Sequence, residues 1–140
     1  MSHVRTVRVR GYHCDFYGHV NQARYLELLE EARWSLLEDR LDLADWERRH
    51  LGIVVAGVDI RYLRPAVPDD LLDIHSAMVE LGTKTGVIRQ RVVNQATAKA
   101  IATADVTFAV VDRRTGRAIP LAGDVRDLFT GAEGEGADVP

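Results

Sequence analysis

The sequence contains a single cysteine, Cys14, and this scarcity excludes an intramolecular disulfide and any cysteine-rich metal site. A chain without disulfides also fits a reducing compartment. His50 and His75 have no potential ligands beside them at the spacing that a metal site needs. We therefore predict that the protein holds no metal.

The sequence also lacks an excess of positive charge and a long hydrophobic run. Its formal net charge is -3 and its pI is about 5.9, so nucleic acids and anionic membrane surfaces are poor candidate partners. No stretch reaches the length of a membrane span, and residues 1–13 contain no apolar segment typical of a secretion signal. We expect a cytoplasmic protein that binds neither nucleic acid nor membrane.

The composition is that of one folded domain followed by a short tail. The chain has 140 residues, 46% of them hydrophobic, which is enough for one core without disulfides. We predict a single domain over residues 1–130. Residues 131–140 are rich in glycine and acidic residues and contain no aromatic residue, so we predict a flexible C-terminal tail there.

The hydrophobic pattern changes from a period of two to a helical period and back. Val7 and Val9 alternate with arginines, which predicts a strand that ends near Gly11. From Asn21 to Asp39 the apolar residues follow one face of a helix, with Asn21 as its N-cap and Trp34 off that face. After a polar helical turn at 42–50, we predict strands at Val58–Tyr62, Leu71–Leu81, Val87–Asn94 and Lys99–Val111, and a final helix at Gly123–Phe129.

The order of these elements predicts an α+β fold. One strand, one long helix and four strands joined by short turns indicate an antiparallel five-stranded sheet wrapped around a long central helix. Small residues alternate along the last strand and its approach, at Ala98, Ala100, Ala102 and Ala104. Alanine is a poor strand former, but it lets a helix approach a sheet closely.

The segment before the long helix is the part of the chain that can carry chemistry. Asp15 lies just before a turn that contains Gly18 and opens the helix. A substrate carbonyl that lies across the N-terminal amides of a helix has its developing negative charge stabilised by fixed N–H donors and the helix dipole. Asp15 beside that carbonyl would act as a nucleophile or as a general base.

This segment resembles the hotdog-fold thioesterases of the 4-hydroxybenzoyl-CoA thioesterase type. The residues that carry the resemblance are Asp15, Gly18, His19, Val20, Asn21, Tyr25, Glu30 and Arg33. Farther along, residues 62–71 resemble the end of the family's second strand and the turn after it, and residues 111–117 resemble the exit from its final strand. The resemblance covers about residues 4–129 in the expected order.

The resemblance implies a hotdog fold and hydrolysis of an acyl-CoA, or a related pantetheine thioester, to free acid and thiol. Asp15 would attack the thioester or activate water, and the backbone amide of Gln22 would polarise the carbonyl. It implies a homodimer joined sheet edge to sheet edge, with the site at the seam, and further pairing into a homotetramer would bury Trp34. No cofactor is implied beyond the coenzyme A of the substrate.

One departure from related enzymes narrows the mechanism. Relatives that resemble the Tol-Pal-associated thioesterases carry a tyrosine four residues before the aspartate and a histidine at the helix start. Here those positions hold Gly11 and Gln22. A mechanism through that histidine is therefore not expected, whereas one through Asp15 and a backbone donor is retained.

Two residues of the segment have structural alternatives to a catalytic role. An aspartate before a glycine turn often only caps the turn, but the helix tip beside Asp15 favours catalysis. His19 is a further catalytic candidate, although a histidine in a tight turn more often bonds the loop, here to position Asp15. Cys14 and Asp15 are adjacent in an extended segment and should point to opposite sides, so a Cys–His pair is not expected.

The candidates for substrate binding are Tyr17, Asn21, Tyr25, Lys84 and Arg89. Asn21 also fits an N-cap, and Tyr25 also fits a core position on the apolar helical face. Lys84 and Arg89 lie near a predicted turn, where they would hold the phosphates of coenzyme A. Most exposed basic residues have no such role.

Three other functions compete with acyl-CoA hydrolysis. A non-catalytic acyl-thioester-binding or regulatory protein of the same fold would have no need for Asp15. A hydratase or dehydratase would need a histidine paired with an acid at the helix start, where Gln22 stands. An acyl carrier protein thioesterase is a further alternative, and acyl-CoA is favoured because the sequence shows no large basic surface for an acidic carrier.

Overall fold

The computed structural model describes residues 1–130, and the predicted tail at 131–140 lies outside the described residues. The strands are β1 (Ser2–Arg8), β2 (Leu51–Tyr62), β3 (Leu71–Leu81), β4 (Gly86–Asn94), β5 (Ala100–Asp112) and β6 (Arg117–Ile119). The helices are α1 (Gln22–Arg40), α2 (Leu43–Arg48), α3 (Gly123–Thr130) and a 3-10 helix (Gly11–His13). Within residues 1–130, no helix is both long and apolar enough to cross a membrane.

The strands form one antiparallel sheet in the order β1-β3-β4-β5-β2, with β6 paired to the end of β5. The sheet therefore has six strands, one more than the five that were predicted. The additional strand β6 follows the predicted turn at Asp112–Gly116 and pairs with Val110 to Asp112. Three residues are too few for an alternating pattern to appear in the sequence, which is why β6 was not predicted.

The central helix α1 begins and ends within one residue of the predicted bounds. Asn21 is the N-cap, as predicted, and its side-chain oxygen accepts a hydrogen bond of 2.9 Å from the Ala23 amide. The helix buries one face against the sheet, where it lies closest to β1 and β3. The buried residues of that face are Tyr25, Leu28, Leu29, Ala32, Leu36 and Leu37. A sheet wrapped around this helix confirms the predicted α+β hotdog architecture.

Small residues on β5 let α1 approach the sheet, as the alanine pattern predicted. Ala102 and Ala104 are buried in the same core cluster as Tyr25 and Leu29 of α1. Ala98 does not belong to that strand, because it lies in the turn between β4 and β5 with a φ of 61°. The alanine face of the strand is therefore shorter than predicted.

The end of the sheet far from the start of α1 is closed by α2 and α3. Trp46 of α2 and Phe129 of α3 are buried, and their rings meet edge to face with centroids 5.8 Å apart. Phe129 also lies against Phe108 of β5, at 5.3 Å between centroids. The predicted final helix is confirmed, and it covers the core where the strands of the sheet end.

A buried polar cluster joins α1 to the middle of the sheet. Gln90 of β4 is 0% exposed and donates hydrogen bonds of 2.9 Å to the Leu29 carbonyl and to the Ser76 hydroxyl. Its side-chain oxygen accepts a 3.0 Å hydrogen bond from the Arg33 guanidinium. Burial lowers the pKa of Arg33, and nearby Glu30 opposes that shift. The cluster fixes the position of α1 over β3 and β4.

Strand β2 is longer than predicted and forms an exposed edge of the sheet. It starts at Leu51 rather than near Val58, because the apolar run at its start has no alternation from which to recognise a strand. It pairs with β5 on one side only. Val54, Val55 and Val58 are 44%, 45% and 39% exposed, although valine is typical of buried strands.

An open cleft separates β2 from α1, because the helix lies toward the opposite side of the sheet. On the helix the cleft is lined by Glu30, Arg33, Trp34 and Leu37, and on the strand by Ile53 and Val55. It widens toward α2 into a cavity of about 300 Å³. Trp34, which did not fit the predicted buried face, is 48% exposed and lies in this cleft beside the sheet edge.

Candidate active site

A cavity of about 760 Å³ opens at the N-terminal tip of α1. It brings together three parts of the chain: the loop before α1, the first turn of α1, and the segment that follows β2. The residues that line it are Asp15, His19, Val20, Asn21, Gln22, Ala23, Tyr25, Tyr62, Leu63, Arg64 and Pro65. Five of the residues singled out in the sequence therefore share one cavity, namely Asp15, His19, Asn21, Gln22 and Tyr25.

The loop that carries Asp15 is a tight turn closed on both sides by backbone hydrogen bonds. The Asp15 amide donates to the His19 carbonyl at 2.9 Å, and the Gly18 amide donates to the Asp15 carbonyl at 3.0 Å. Gly18 has a φ of 79°, a conformation that glycine adopts without the steric cost of a side chain. The Val20 amide then donates to the Ala66 carbonyl at 2.9 Å, which fixes the loop against the segment after β2.

The Asp15 carboxylate is held by one of its two oxygens. Oδ1 accepts hydrogen bonds from the Tyr17 amide at 2.9 Å and from the His19 amide at 3.4 Å. Within the part of the chain that the structure describes, Oδ2 has no hydrogen-bond donor. Asp15 thus combines the turn-capping role that its position suggested with an oxygen that is available to a ligand in the cavity.

The helix tip leaves one backbone amide without an acceptor. The Asn21 amide donates to the His13 carbonyl, and the Arg24 amide donates to the Asn21 carbonyl, each at 2.9 Å. The Ala23 amide is occupied by the Asn21 side chain. Among the described residues, none accepts from the Gln22 amide. A free N–H at the positive end of a helix is suited to stabilise negative charge on a bound oxygen.

Two tyrosines form the wall of the cavity between helix and strand. Tyr25 is buried in the core and also lines the cavity, and its ring lies 5.5 Å from that of Tyr62. Burial raises the pKa of Tyr25 to about 12, and Tyr62, Cys14 and Asp70 add smaller contributions. The Tyr62 hydroxyl donates to the Gln22 carbonyl at 3.1 Å. The phenol of Tyr25 is therefore neutral at physiological pH.

The segment that follows β2 contributes site residues that were not assigned a role from the sequence. Tyr62, Leu63, Arg64 and Pro65 line the cavity, although they lie about 50 positions from Asp15 in the chain. Arg64 donates to the Ala100 carbonyl at 2.7 Å, and no carboxylate lies within 4.0 Å of it in residues 1–130. The signal in the sequence was the strand end at Pro65, but only the fold shows that this strand end meets the tip of α1.

Three predicted substrate-binding residues lie outside this cavity. Tyr17 is 79% exposed on the outer side of the loop, and its contribution to the site is its backbone N–H to Asp15. Lys84 lies in the turn between β3 and β4, at the opposite end of the sheet from Asp15. Arg89 is on the exposed face of β4, where it forms a two-pronged ion pair with Asp105 at 2.9 and 3.2 Å. Within one chain, none of the three side chains lines the cavity that holds Asp15.

The remaining groups of the loop have structural contacts. His19 lines the cavity, and its contact with Asp15 is made by its backbone rather than by its imidazole. The thiol of Cys14 donates to the Arg10 carbonyl at 3.6 Å and packs against the core, and Cys14 is not among the residues that line the cavity. Burial, with a smaller contribution from Asp15, raises the pKa of the Cys14 thiol. This contact pattern gives no support to a cysteine nucleophile.

The site can supply acid-base or nucleophilic chemistry by a carboxylate next to a free helix-tip amide. In residues 1–130 no three His, Cys, Asp or Glu side chains are grouped closely enough to hold a metal ion. A bound carbonyl carbon near Asp15 Oδ2, with its oxygen toward the Gln22 amide, would have both groups within one cavity. This arrangement suits addition to a polarised carbonyl.

Known proteins are similar to this chain in both sequence and fold. The model of the thioesterase-like superfamily matches residues 9–129. The chain is 43% identical over 122 residues to the long-chain acyl-CoA thioesterase FadM of Escherichia coli K12, covering 86% of this chain and 92% of that protein.

Solved structures agree with this match. The probable thioesterase YbaW of Escherichia coli superposes with a TM-score of 0.83 at 41% identity, over 89% of this chain and 94% of that one. A probable thioesterase of Bartonella henselae gives a TM-score of 0.71 at 30% identity, over 86% and 98%. The fold, the site and these matches together show that the chain belongs to the thioesterase-like superfamily.

Proposed function

We propose that this protein hydrolyses acyl-CoA thioesters to the free acid and coenzyme A. The observation that carries the proposal is the pairing, in one cavity, of a carboxylate oxygen of Asp15 with the free amide of Gln22. The oxyanion that develops on the thioester carbonyl would accept from the Gln22 amide at the positive end of α1. The similarity to an enzyme named as a long-chain acyl-CoA thioesterase supports the same reaction.

Asp15 has two routes to the product. As a nucleophile, Oδ2 would add to the carbonyl carbon and expel the thiolate, and water would then hydrolyse the mixed anhydride to regenerate the carboxylate. As a general base, it would take a proton from a water that attacks the same carbon. A single turnover in ¹⁸O water would identify the nucleophilic route if ¹⁸O is found in Asp15, because water that attacks the aspartyl carbon of the mixed anhydride leaves its oxygen there; attack at the acyl carbon places the label in the product acid instead, as the general-base route does.

The cleft between α1 and β2 supports a long acyl chain as the substrate. It lies farther along α1 than the cavity: Tyr25 lines the cavity, and the cleft extends to Leu37. From Gln22 to Leu37 the helix rises about 22 Å, which is the path that an extended acyl chain would follow along α1. Four of its six lining residues are apolar and would cover the chain from water, whereas Glu30 and Arg33 are charged.

A second copy of the chain would complete the site. Strand β2 presents unpaired backbone groups and exposed valines, and an edge of this kind pairs readily with another strand. Antiparallel pairing of β2 with its copy would join the two sheets into one and cover the cleft that holds Trp34. Trp34 would then be buried at the dimer seam itself. The predicted pairing of dimers into a homotetramer is not needed to bury it and stays a prediction.

The catalytic proposal is tested by thiol release from acyl-CoAs of short, long, branched and aromatic acyl groups. Asp15→Asn should retain the fold, because the amide oxygen can still accept from the loop, and should lower kcat at least about a hundredfold. Asp127→Asn is the matched control, since Asp127 is an exposed carboxylate on α3 far from the cavity. Equal activity of the two variants would show that Asp15 is only a turn residue.

The dimer proposal is tested by the same substitution on the two edges of the sheet. Val58→Lys on β2 should yield monomers by sedimentation, because a lysine on an edge strand opposes pairing. Val4→Lys on β1, the other edge, is the control, since Val4 is 50% exposed. Dissociation by Val4→Lys with a stable dimer in Val58→Lys would place the interface on β1 and refute the proposal.

A further inference from the structure

The peptide group between Gln22 and Ala23 is held at both of its polar atoms. Its carbonyl oxygen accepts from the Tyr62 hydroxyl at 3.1 Å, and its N–H donates to the Asn21 side chain at 2.9 Å. A helix N-terminal N–H is commonly capped in this way by the N-cap residue. The restraint on the carbonyl is less common, because it comes from the Tyr62 side chain, 40 residues farther along the chain.

These restraints decide which amide of the helix tip can meet a substrate. On the other side of Gln22, the Asn21 carbonyl accepts from the Arg24 amide. Gln22 therefore lies between two fixed peptide groups, and its own N–H is the one that the tip leaves free. A donor of this kind contributes most when it already points at the developing charge and need not reorganise.

Tyr62 connects the edge strand β2 to the N-terminal tip of α1. It is the last residue of β2, and its ring packs against buried Tyr25. Farther from the helix tip, Ile53 and Val55 of β2 line the open cleft beside α1. The Tyr62 hydroxyl therefore supplies a direct hydrogen bond between the edge strand and the first turn of α1.

We propose that Tyr62 is a positioning residue for the oxyanion donor. By donating to the Gln22 carbonyl, its hydroxyl holds the first turn of α1 in the orientation that directs the Gln22 amide into the cavity. The effect on catalysis rests on the proposed thioester hydrolysis. The tether itself is a property of the folded chain and is measurable without any substrate.

The test removes only the hydroxyl. Tyr62→Phe keeps the ring contact with Tyr25, so the fold and the dimer should be unchanged. Loss of one hydrogen bond that positions the donor should lower kcat roughly five- to tenfold while KM stays within about twofold. Tyr12→Phe is the matched control, because Tyr12 is exposed and lies outside the cavity lining, and it should have wild-type kcat.

Amide hydrogen exchange by NMR gives a readout that is independent of activity. In Tyr62→Phe the Ala23 and Arg24 amides should exchange faster than in the wild-type protein, while amides in the middle of α1 stay unchanged. Unchanged exchange at the tip, or a higher KM with an unchanged kcat, would overturn the positioning role; the latter would make Tyr62 a substrate contact. If the wild-type protein releases no thiol from any acyl-CoA, the proposed function fails, and the exchange data still decide whether Tyr62 holds the tip.

Discussion

Replacing Gln90 with alanine should destabilise this protein more than any exposed substitution, because Gln90 is the polar connection between the central helix and the sheet. The side chain is 0% exposed and makes three hydrogen bonds, to Leu29, Ser76 and Arg33. Alanine would leave each of these groups without that partner; Ser76 is closed off from water, whereas Arg33 is partly buried and lines the cleft between α1 and β2. We expect the free energy of unfolding to fall by about 3–5 kcal/mol.

The magnitude follows from what each partner loses. Leaving the Arg33 guanidinium without its acceptor should cost about 1–3 kcal/mol, and because Arg33 is only partly buried, water that enters the cleft would reduce the loss. Ser76 is 1% exposed and would lose a donor, at about 1 kcal/mol, whereas the Leu29 carbonyl keeps its helical bond. The empty volume of the deleted side chain adds about 1 kcal/mol, as in other large-to-small core substitutions.

Urea unfolding at fixed protein concentration measures this loss, since a dimer would make the apparent stability depend on concentration. Gln90→Leu is a useful comparison because it fills the volume but makes no hydrogen bonds, so it should cost about 1 kcal/mol less than alanine. Gln95→Ala is the exposed control and should change stability by less than about 0.5 kcal/mol.

Two results would refute the reasoning about the buried cluster. A loss below about 1 kcal/mol for Gln90→Ala would mean that the three hydrogen bonds contribute almost nothing net. A loss for Gln90→Leu equal to or above that for alanine would mean that packing strain, rather than unpaired polar groups and lost volume, determines the cost.

Two further predictions concern the strand pairing and the loop. Gly86→Ala should lower the free energy of unfolding by about 1–3 kcal/mol in the same assay, because the added Cβ would lie 2.6 Å from the buried Phe108 ring. Gly11→Ala should be neutral, since nothing lies within 4 Å of its added Cβ, and equal effects of the two substitutions would contradict this reasoning. The pKa of His13 is lowered by burial and by Arg24 and Arg10, so the unfolded chain takes up the proton first as the pH falls. The stability that depends on a neutral His13 should be present above about pH 6.5 and be lost at lower pH. The fall in Tm between pH 7 and pH 5 should therefore be smaller in His13→Gln than in the wild-type protein. The same fall in both proteins would be evidence against this.

The parts of the fold that were predictable depend on local patterns. The bounds of α1 follow from its helical period and its N-cap at Asn21, and β3 follows from its alternation and flanking turns. Strand β2 was only half recognised, because an edge strand with apolar residues on both faces has no alternation to detect. Strand β6 has three residues and depends entirely on pairing with β5.

The candidate site was likewise predictable only where its residues are close in the sequence. Asp15, Asn21 and Gln22 are near neighbours in the chain, so a turn followed by a helix start is enough to bring them together. Lys84 and Arg89 were chosen for their charge, but the sheet places one at its far end and pairs the other with Asp105. Charge alone carries no information about which end of a strand a residue occupies.

The sequence by itself determined the carboxylate, the helix tip beside it and the family resemblance, because these are encoded within short stretches of chain. Only the tertiary structure decided that the segment after β2 closes the cavity, through the hydrogen bond from Val20 to Ala66 and the tether from Tyr62 to Gln22. It also decided that α1 lies away from β2 and leaves a cleft along an exposed edge. The two hydrogen bonds join residues 46 and 40 positions apart, and their geometry follows from how the whole sheet wraps around the helix rather than from any local preference.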